Sequence, residues 1–231
     1  MLTSICGINW GDEGKGRMVD LLSRDYDIVC RYQGGNNAGH TVINDKGKFI
    51  LNLLPSGILR EDVVCVMGPG MVIDLKHLCG EIQKLRSAGI KISPENLKIS
   101  DKAIITMPYN VLQDIMEEDR LAKATGKPYG STRRGIAPVY ADKYLKKAFR
   151  MGELLNLDLL YKRLPDIVDW KNMTIKAYGF TPISVEDMKA YFEEYGAILK
   201  DYIIDVGMYL NKANAEGKKI MFEAQLGALR D

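Results

Sequence analysis

The sequence predicts an α/β fold with a doubly wound, largely parallel central sheet that is P-loop-like. Three observations favour this fold class. Short apolar runs alternate with amphipathic segments along the first half of the chain, a pattern typical of parallel sheets. Two polar, glycine-rich segments directly follow apolar runs, as phosphate-binding loops follow strands. After about residue 107 the pattern becomes mostly helical, so we expect a helical region there.

The elements of the first half follow from the spacing of apolar residues. Strands are predicted where apolar residues run together, and helices where they recur every three or four positions. This gives, in order, a buried strand at residues 2–8, a helix at 16–23, strands at 27–32 and 63–68, and a helix at 74–89 that stops at Gly89. Alternating apolar positions before the strand at 63–68 predict a hairpin that turns at Asp45–Gly47.

The second half begins with two short strands and then turns helical. The strands are predicted at residues 97–100 and 103–107, and an amphipathic helix at 111–123. Residues 123–138 break this pattern as a long, polar, basic loop, and loops of that length are usually functional or disordered. The later elements are a helical stretch from a capping box at Ser184–Asp187 to about Asn214, and a buried strand at 218–224.

Composition and charge exclude several classes of protein. The chain has 231 residues, of which 46% are hydrophobic and 27% charged, and its net charge is only +2. Such a balance gives no reason to expect general affinity for nucleic acid or for a membrane surface. No apolar run is long enough to span a bilayer, and no signal peptide precedes the first strand. We therefore expect a cytoplasmic protein.

The cysteines favour the same compartment. The chain has four of them and no CxxC pair. Most lie in apolar, strand-like runs, so we expect buried free thiols in a reducing compartment, and neither disulfides nor a zinc site. The four are Cys6, Cys30, Cys65 and Cys79.

The first glycine-rich segment, Asn9–Gly16, follows the first strand with the sequence NWGDEGKG. It is not a Walker A motif, because Asn9 stands where that motif has its first glycine and Gly16 replaces the Ser or Thr that would hold Mg²⁺. A carboxylate beside an anionic ligand needs a cation between them, so Asp12 is a candidate Mg²⁺ ligand. It is also a candidate base. The alternative is a tight turn in which Asp12 and Glu13 are solvated acids at a helix start.

Histidine is rare in this chain, which has only two. His40 ends the second glycine-rich segment, Gln33–His40, which also follows a strand. Loops after neighbouring parallel strands face each other across a doubly wound crevice, so His40 is expected to meet phosphates bound at Asn9–Gly16. Alternatively, it caps the following hairpin. His77 lies within an amphipathic helix and is interpreted as a structural residue.

The basic loop contains the sequence GSTRRG at residues 130–135. Its hydroxyls on Ser131 and Thr132 and its guanidinium groups on Arg133 and Arg134 suit a phosphate monoester. The alternative interpretation is a solvated basic loop.

Five segments together resemble the adenylosuccinate synthetase family. They occur in the family's order with similar intervals over the whole chain, and the combination of WGDEGKG with GGNNAGHT is highly specific. The segments are NWGDEGKGRMVDLL, RYQGGNNAGHTV, LNLLPSGILRE, GSTRRGIAPVYADK and MFEAQLGALRD.

The resemblance implies a GTP- and Mg²⁺-dependent ligation of IMP with L-aspartate to adenylosuccinate, in AMP biosynthesis, through 6-phosphoryl-IMP. It makes Asp12 the base that removes the N1 proton of IMP, and His40 the group that stabilises the transferring phosphoryl. It also makes Asp12 and the backbone carbonyl of Gly39 the Mg²⁺ ligands. The nucleotide and cofactor residues that it implies are Gly11, Asp12, Glu13, Gly14, Lys15, Gly16, Gly39, His40 and Thr41.

The resemblance also implies a site for IMP and a homodimer, in which Lys146 reaches the IMP of the partner subunit. The implied IMP residues are Asp12, Lys15, Asn37, Ala38, Gly39, His40, Thr132, Lys146 and Gln225. Four departures from the family pattern bear on these assignments. They are Asn9 for Gln, Ala137 for Gly or Arg, one glycine fewer in FEAQLG beside Gln225, and Lys146 for Arg.

We expect one incomplete synthetase-like domain over residues 1–231. Residues 1–106 and 218–231 would form its nucleotide-binding sheet core, and residues 107–217 a mostly helical insertion with the IMP-phosphate loop. The resemblance implies that the family's chain continues well past the position of Asp231 with its guanine- and aspartate-binding parts. We therefore expect negligible turnover from this chain alone. Two alternatives are a non-catalytic module that binds IMP or a phosphate, and another P-loop-like GTPase or kinase.

Overall fold

A computed structural model describes residues 1–44 and 47–230. Its centre is a seven-stranded sheet in the order β1-β9-β2-β5-β6-β8, with β7 paired to the far end of β5, and every pairing is parallel. The α/β class and the largely parallel sheet are thus confirmed. The strands are β1 Leu2–Gly7, β2 Ile28–Gly34, β3 His40–Asn44, β4 Gly47–Leu51, β5 Val64–Asp74, β6 Leu97–Ser100, β7 Ile104–Thr106, β8 Ile203–Ile204 and β9 Ile220–Gly227.

Seven α-helices accompany these strands in the described part of the chain. Five of them follow residue 107, as the sequence predicts, and the N-cap of α6 is Ser184, whose side chain accepts from the Asp187 amide. The helices are α1 Lys15–Ser23, α2 Leu75–Ser87, α3 Pro108–Thr125, α4 Ile136–Tyr144, α5 Leu157–Ala177, α6 Val185–Leu199 and α7 Val206–Ala215.

Both faces of the sheet are covered, which confirms the doubly wound arrangement. Consecutive residues of β2 alternate between two clusters, as the two-residue period of a strand requires. Val29 joins the large cluster that includes residues of α1, α2, α5 and α6. Ile28 and Cys30 join a smaller cluster with Val206 and Ala213 of α7 on the opposite face. The strand is therefore buried on both sides, as its continuous apolar run predicts.

The predicted hairpin is confirmed as an antiparallel pair of β3 and β4, in which His40 lies opposite Leu51. The turn itself, at Asp45 and Lys46, lies outside the described residues.

Four local expectations were wrong, three about the position or length of an element and one about the burial of Cys6. Strand β1 is not buried: it lies at the sheet edge, where Leu2 is 56% exposed and Cys6 is exposed too. The helical stretch through Asn214 is interrupted by β8, which is too short to show a period. The basic loop is shorter than predicted, since α3 continues to Thr125 and α4 begins at Ile136. Cys30, Cys65 and Cys79 are buried free thiols as expected.

No helix in the described ranges combines the length and the apolar character that crossing a membrane would need. The division into a sheet core and a helical insertion stays a prediction.

Candidate active site

A cleft of about 310 Å³ opens where the loop after β1 and the segment after β2 meet the end of β9. This is the carboxyl edge of parallel strands, where ligands bind in open α/β sheets. Both glycine-rich segments contribute to it, as the sequence predicts. The lining residues are Gly11, Asp12, Gly14, Lys15, Gly16, Arg17, Arg31, Ala38, Gly39, His40, Thr41, Glu223, Ala224 and Gln225.

Glu13 shapes the loop that precedes α1. Its Oε1 accepts from the backbone amides of Asn9 at 2.8 Å and Gly11 at 3.2 Å. Hydrogen bonds from its own amide and from those of Gly11 and Asn9 lower the pKa of Glu13 to about 2. Lys15 joins the same network, because its Nζ donates to the Gly11 carbonyl at 3.0 Å. Glu13 thus accepts hydrogen bonds from loop amides at Oε1 and pairs with the Lys15 ammonium at Oε2, 3.4 Å away, and Lys15 also lines the cleft.

Asp12, by contrast, is exposed, and no hydrogen bond or ion pair of the described residues reaches its carboxylate. No group of three or more potential His, Cys, Asp or Glu metal ligands lies in the described part of the chain. Asp12, with a free carboxylate, and Gly39 nevertheless line the same cleft, and such donors fit Mg²⁺, which takes one or two carboxylates together with phosphate oxygens. The residues present are therefore compatible with the implied ion.

Glycine is required at two positions of this loop for different reasons. Gly14, the N-cap of α1, has φ +84°, a left-handed conformation that residues with a Cβ rarely adopt. At Gly16 the reason is space, because a Cβ there would lie 2.6 Å from Cδ2 of His40. The imidazole of His40 therefore packs directly on the first turn of α1. This explains why a small residue occupies the position where a Walker A motif has Ser or Thr.

His40 is held from the other side by two residues that the sequence analysis did not single out. Its Nε2 lies 2.8 Å from Oγ of Ser56, and Ser56 Oγ donates to Oε1 of Glu223 at 2.6 Å. Burial lowers the pKa of His40, and the nearby charge of Glu223 opposes that effect. His40 therefore does not simply cap the hairpin.

Arg31 is the third residue of the site that the sequence analysis did not single out. Its side chain is buried, and it donates to the backbone carbonyls of Asn52 and Gly35, the latter at 3.0 Å. Its Nε has no hydrogen-bond partner among the described residues. A guanidinium that lines a cleft with an unused donor is well suited to an anionic ligand.

Two predicted IMP residues lie in direct contact. Gln225 Nε2 donates to Asn37 Oδ1 at 2.7 Å and to the Gly35 carbonyl at 3.1 Å. Its Oε1 is buried and has no partner within the described ranges. Gln225 lines the cleft despite the altered glycine count of its motif.

Two other predicted IMP residues do not line this cleft. Thr132 is exposed in the loop between α3 and α4. That loop is fixed to α3, since Asp114 accepts from Ser131 Oγ at 2.6 Å and from the Gly135 amide at 2.9 Å. The position of this loop is therefore set by helix α3 and not by the carboxyl ends of the strands. In this structure Thr132 is not part of the Asp12–His40 cleft.

Lys146 lines a separate cavity of about 550 Å³. It has φ +58°, a conformation uncommon for a residue with a side chain. The resemblance assigns Lys146 to the IMP of a partner subunit, so its distance from the cleft of its own chain does not conflict with that role. The cations around this cavity, which we call the basic cavity, are Lys102, Lys143, Lys146, Arg150 and Arg163.

Two of the three residues that sequence reasoning missed could have been identified from the sequence. Arg31 and Glu223 are charged residues that interrupt the apolar parts of two strands, IVCRY and IMFEA. A charge in a strand that is buried on both faces must be paired or functional. Ser56 carried no comparable signal.

Comparisons with known proteins identify the family of this chain. Residues 4–231 match the family described as adenylosuccinate synthetase. The adenylosuccinate synthetase of Halothermothrix orenii is 42% identical over 228 residues, which are 98% of this chain and 52% of that protein. Adenylosuccinate synthetase 2 of Pseudoalteromonas translucida is 43% identical over 98% of this chain and 54% of its own length.

Solved structures give the same result. The fully ligated adenylosuccinate synthetase of Plasmodium falciparum superposes with a TM-score of 0.88 at 35% identity, over 99% of this chain and 52% of that one. The succinoaminodeoxyadenylate synthetase of cyanophage S-2L, at 18% identity and a TM-score of 0.59, shares the fold. This chain thus spans about half the length of the relatives it matches.

Proposed function

Because the chain belongs to the adenylosuccinate synthetase family, we propose that it supplies the phosphoryl-transfer centre for GTP- and Mg²⁺-dependent ligation of IMP with L-aspartate. The product would be adenylosuccinate, formed by way of 6-phosphoryl-IMP. The observation that carries the proposal is that Asp12, Lys15 and His40 line one cleft although they come from two separate segments. Homologues of this chain are ligases of purine biosynthesis, and the specific chemistry is our proposal for this one.

Each side chain has a role that its surroundings support. Asp12 is exposed and unpaired, so its carboxylate is free to accept the N1 proton of IMP. Lys15 lies beside glycine-rich backbone at a helix start, where phosphate groups are stabilised. His40 would stabilise the phosphoryl group as it moves from GTP to the 6-oxygen of IMP. Mg²⁺, when bound at Asp12 and the Gly39 carbonyl, would neutralise charge that develops on the phosphate oxygens.

The roles of the remaining residues are part of the same proposal. Gly11, Glu13, Gly14, Gly16 and Thr41 would form the nucleotide loop, and Asn37, Ala38 and Gln225 the IMP wall. Thr132 and Lys146 would contribute to IMP only from outside the cleft, the latter in a homodimer.

The alternative is a module that binds IMP or a phosphate without turnover. The position of Thr132 outside the cleft favours it for the isolated chain, as does the coverage of only about half of each relative. Orientation of both substrates is worth several orders of magnitude in rate. We therefore propose negligible turnover for residues 1–231 alone.

Phosphate release with IMP, GTP, Mg²⁺ and aspartate tests the proposal in two settings. The chain alone should release no phosphate above background, and turnover of roughly 1 per second or faster would contradict this.

A chimaera that joins this chain to the remaining part of the Halothermothrix orenii synthetase should form adenylosuccinate. The matched variant Asp12→Asn should abolish that reaction while IMP still binds. If the folded variant loses less than tenfold of its rate, Asp12 is not the base.

A further inference from the structure

We propose that Ser56 and Glu223 form a relay that positions His40, fixing its ring proton on Nε2 and leaving Nδ1 as the nitrogen offered to a ligand. The identity of that ligand, a nucleotide phosphate, rests on the proposed function. The position of the proton does not, because it follows from the hydrogen bonds alone.

The three side chains form a continuous chain of short contacts. Glu223 of β9 accepts from Ser56 twice, at Oε1 from the hydroxyl at 2.6 Å and at Oε2 from the backbone amide at 3.0 Å. Ser56 Oγ lies 2.8 Å from Nε2 of His40, while Glu223 Oε1 itself is 3.9 Å from that nitrogen. The hydroxyl is therefore the link between the carboxylate and the imidazole.

The direction of the hydrogen bonds follows from what each group can donate. An ionised carboxylate only accepts, so the single hydroxyl proton of Ser56 points to Glu223. Ser56 then has only lone pairs for His40, and Nε2 must carry a proton in order to donate to it. This leaves Nδ1, which makes no hydrogen bond among the described residues, as the free nitrogen.

The surroundings leave the relay little freedom to rearrange. Ser56 is fully buried and Glu223 is 4% exposed. The chain before Ser56 is tied down by a second buried carboxylate, since Glu81 of α2 accepts from the amides of Asn52 at 2.8 Å and Leu53 at 3.0 Å. His40 is confined on its other side by Gly16. A buried serine that merely filled space would not need a carboxylate that binds both its donors.

Nitrogen NMR of the histidine rings reads the tautomer directly in the chain as it exists. The chain has only two histidines, and His77, whose Nε2 lies 3.3 Å from Asn52 Oδ1, provides an internal reference for the fold. At about pH 8, where histidine is neutral, we expect His40 to be protonated at Nε2 alone. A ring protonated at Nδ1, or an even mixture of tautomers, would overturn the proposal before any variant is made.

Glu223→Gln gives the sharpest variant. Its amide oxygen would accept from the Ser56 amide and its NH₂ would face the hydroxyl, so the hydroxyl would turn and donate to His40 Nε2. We expect the ring proton to move to Nδ1, which a purely structural role for Glu223 does not predict. A folded Glu223→Gln chain that keeps the Nε2 proton contradicts the relay.

Ser56→Ala tests the link without a change of charge. Loss of the hydroxyl should leave His40 as a mixture of tautomers, and Ser56→Thr, which keeps a hydroxyl, should restore the single form. If Ser56→Ala keeps the wild-type tautomer, Ser56 does not position the ring.

Titration with GTP and Mg²⁺ separates this proposal from the proposed function. Binding should shift the Nδ1 resonance of His40 while the Nε2 proton stays in place, and a ligand that instead displaces the Nε2 proton would overturn the relay. Failure of the chimaera described above to bind GTP would count against the proposed function, whereas the tautomer in the free chain would still decide the relay.

Discussion

Two of the buried cations in the described part of the chain have very different surroundings, Arg31 in the central strand β2 and Lys171 in the helical region. Lys171 is saturated: its Nζ lies 2.6 Å from Asp142 and 2.8 Å from Gln113, and it stacks over the ring of Trp170 at 4.7 Å. Arg31 has an unused donor and lines a cleft. The fully paired cation joins helices, and the incompletely paired one lines the cleft with one buried donor unused. Burial of charge alone therefore does not identify a functional site.

Lys171→Met should have the largest effect on stability. It leaves the Asp142 carboxylate buried without its cation, and breaking such a pair costs about 3–5 kcal/mol. Urea unfolding measures this loss. The double variant Lys171→Met with Asp142→Leu should recover much of it, since no charge is then left unpaired. If the single variant unfolds at the wild-type urea concentration, the ion pair does not hold α4 and α5 together.

Arg31→Met should destabilise less and damage ligand binding more. The carbonyls of Asn52 and Gly35 would lose their donor, at about 1–3 kcal/mol. The buried acids nearby keep their backbone hydrogen bonds, as Glu81 does with Asn52. Calorimetry on the chimaera with GTP and Mg²⁺ should show that Arg31→Met abolishes GTP binding, whereas the control variant Lys143→Met at the basic cavity should still bind GTP. Equal GTP binding by the two variants would show that Arg31 does not contribute to ligand binding.

Gly16→Ala should displace His40 rather than unfold the chain. The added methyl would meet the imidazole, and overpacking of this kind costs about 1–3 kcal/mol. The nitrogen resonances of His40 should change while those of His77 do not. Gly80→Ala is a matched control in α2, because a Cβ there meets nothing within 4 Å. An unchanged His40 spectrum in Gly16→Ala would mean that the ring is not packed on α1.

The smallest effect concerns Glu13 and acid. Its pKa is lowered to about 2 from the usual 4.5 by hydrogen bonds to its own amide and to those of Gly11 and Asn9. The ordering of the loop that depends on this carboxylate should therefore be complete above about pH 4.5 and lost as the pH falls towards 2. Carbon NMR of the Glu13 carboxyl follows the titration. A titration midpoint near 4.5 would show that the loop amides do not hold the Glu13 carboxylate.

Much of the site was predictable because its parts are local in sequence. The loop at Asn9–Gly16 and the segment ending at His40 each follow an apolar strand, and parallel strands bring such loops to one edge. The structure confirms that both line one cleft. The exposed position of β1 was not predictable, since an apolar run does not tell whether its strand is central or at an edge. The two-residue strand β8 was missed because periodicity needs more residues to appear.

The sequence by itself determined the class of the fold, the order of most strands and helices, and the two loops that carry Asp12 and His40, because spacing and glycine content act over a few residues. Only the tertiary structure decided that Ser56 lies between His40 and Glu223, which is 167 residues away along the chain. It also decided that Thr132 and Lys146 lie outside the cleft. Such contacts depend on how whole elements pack, and local patterns do not encode them.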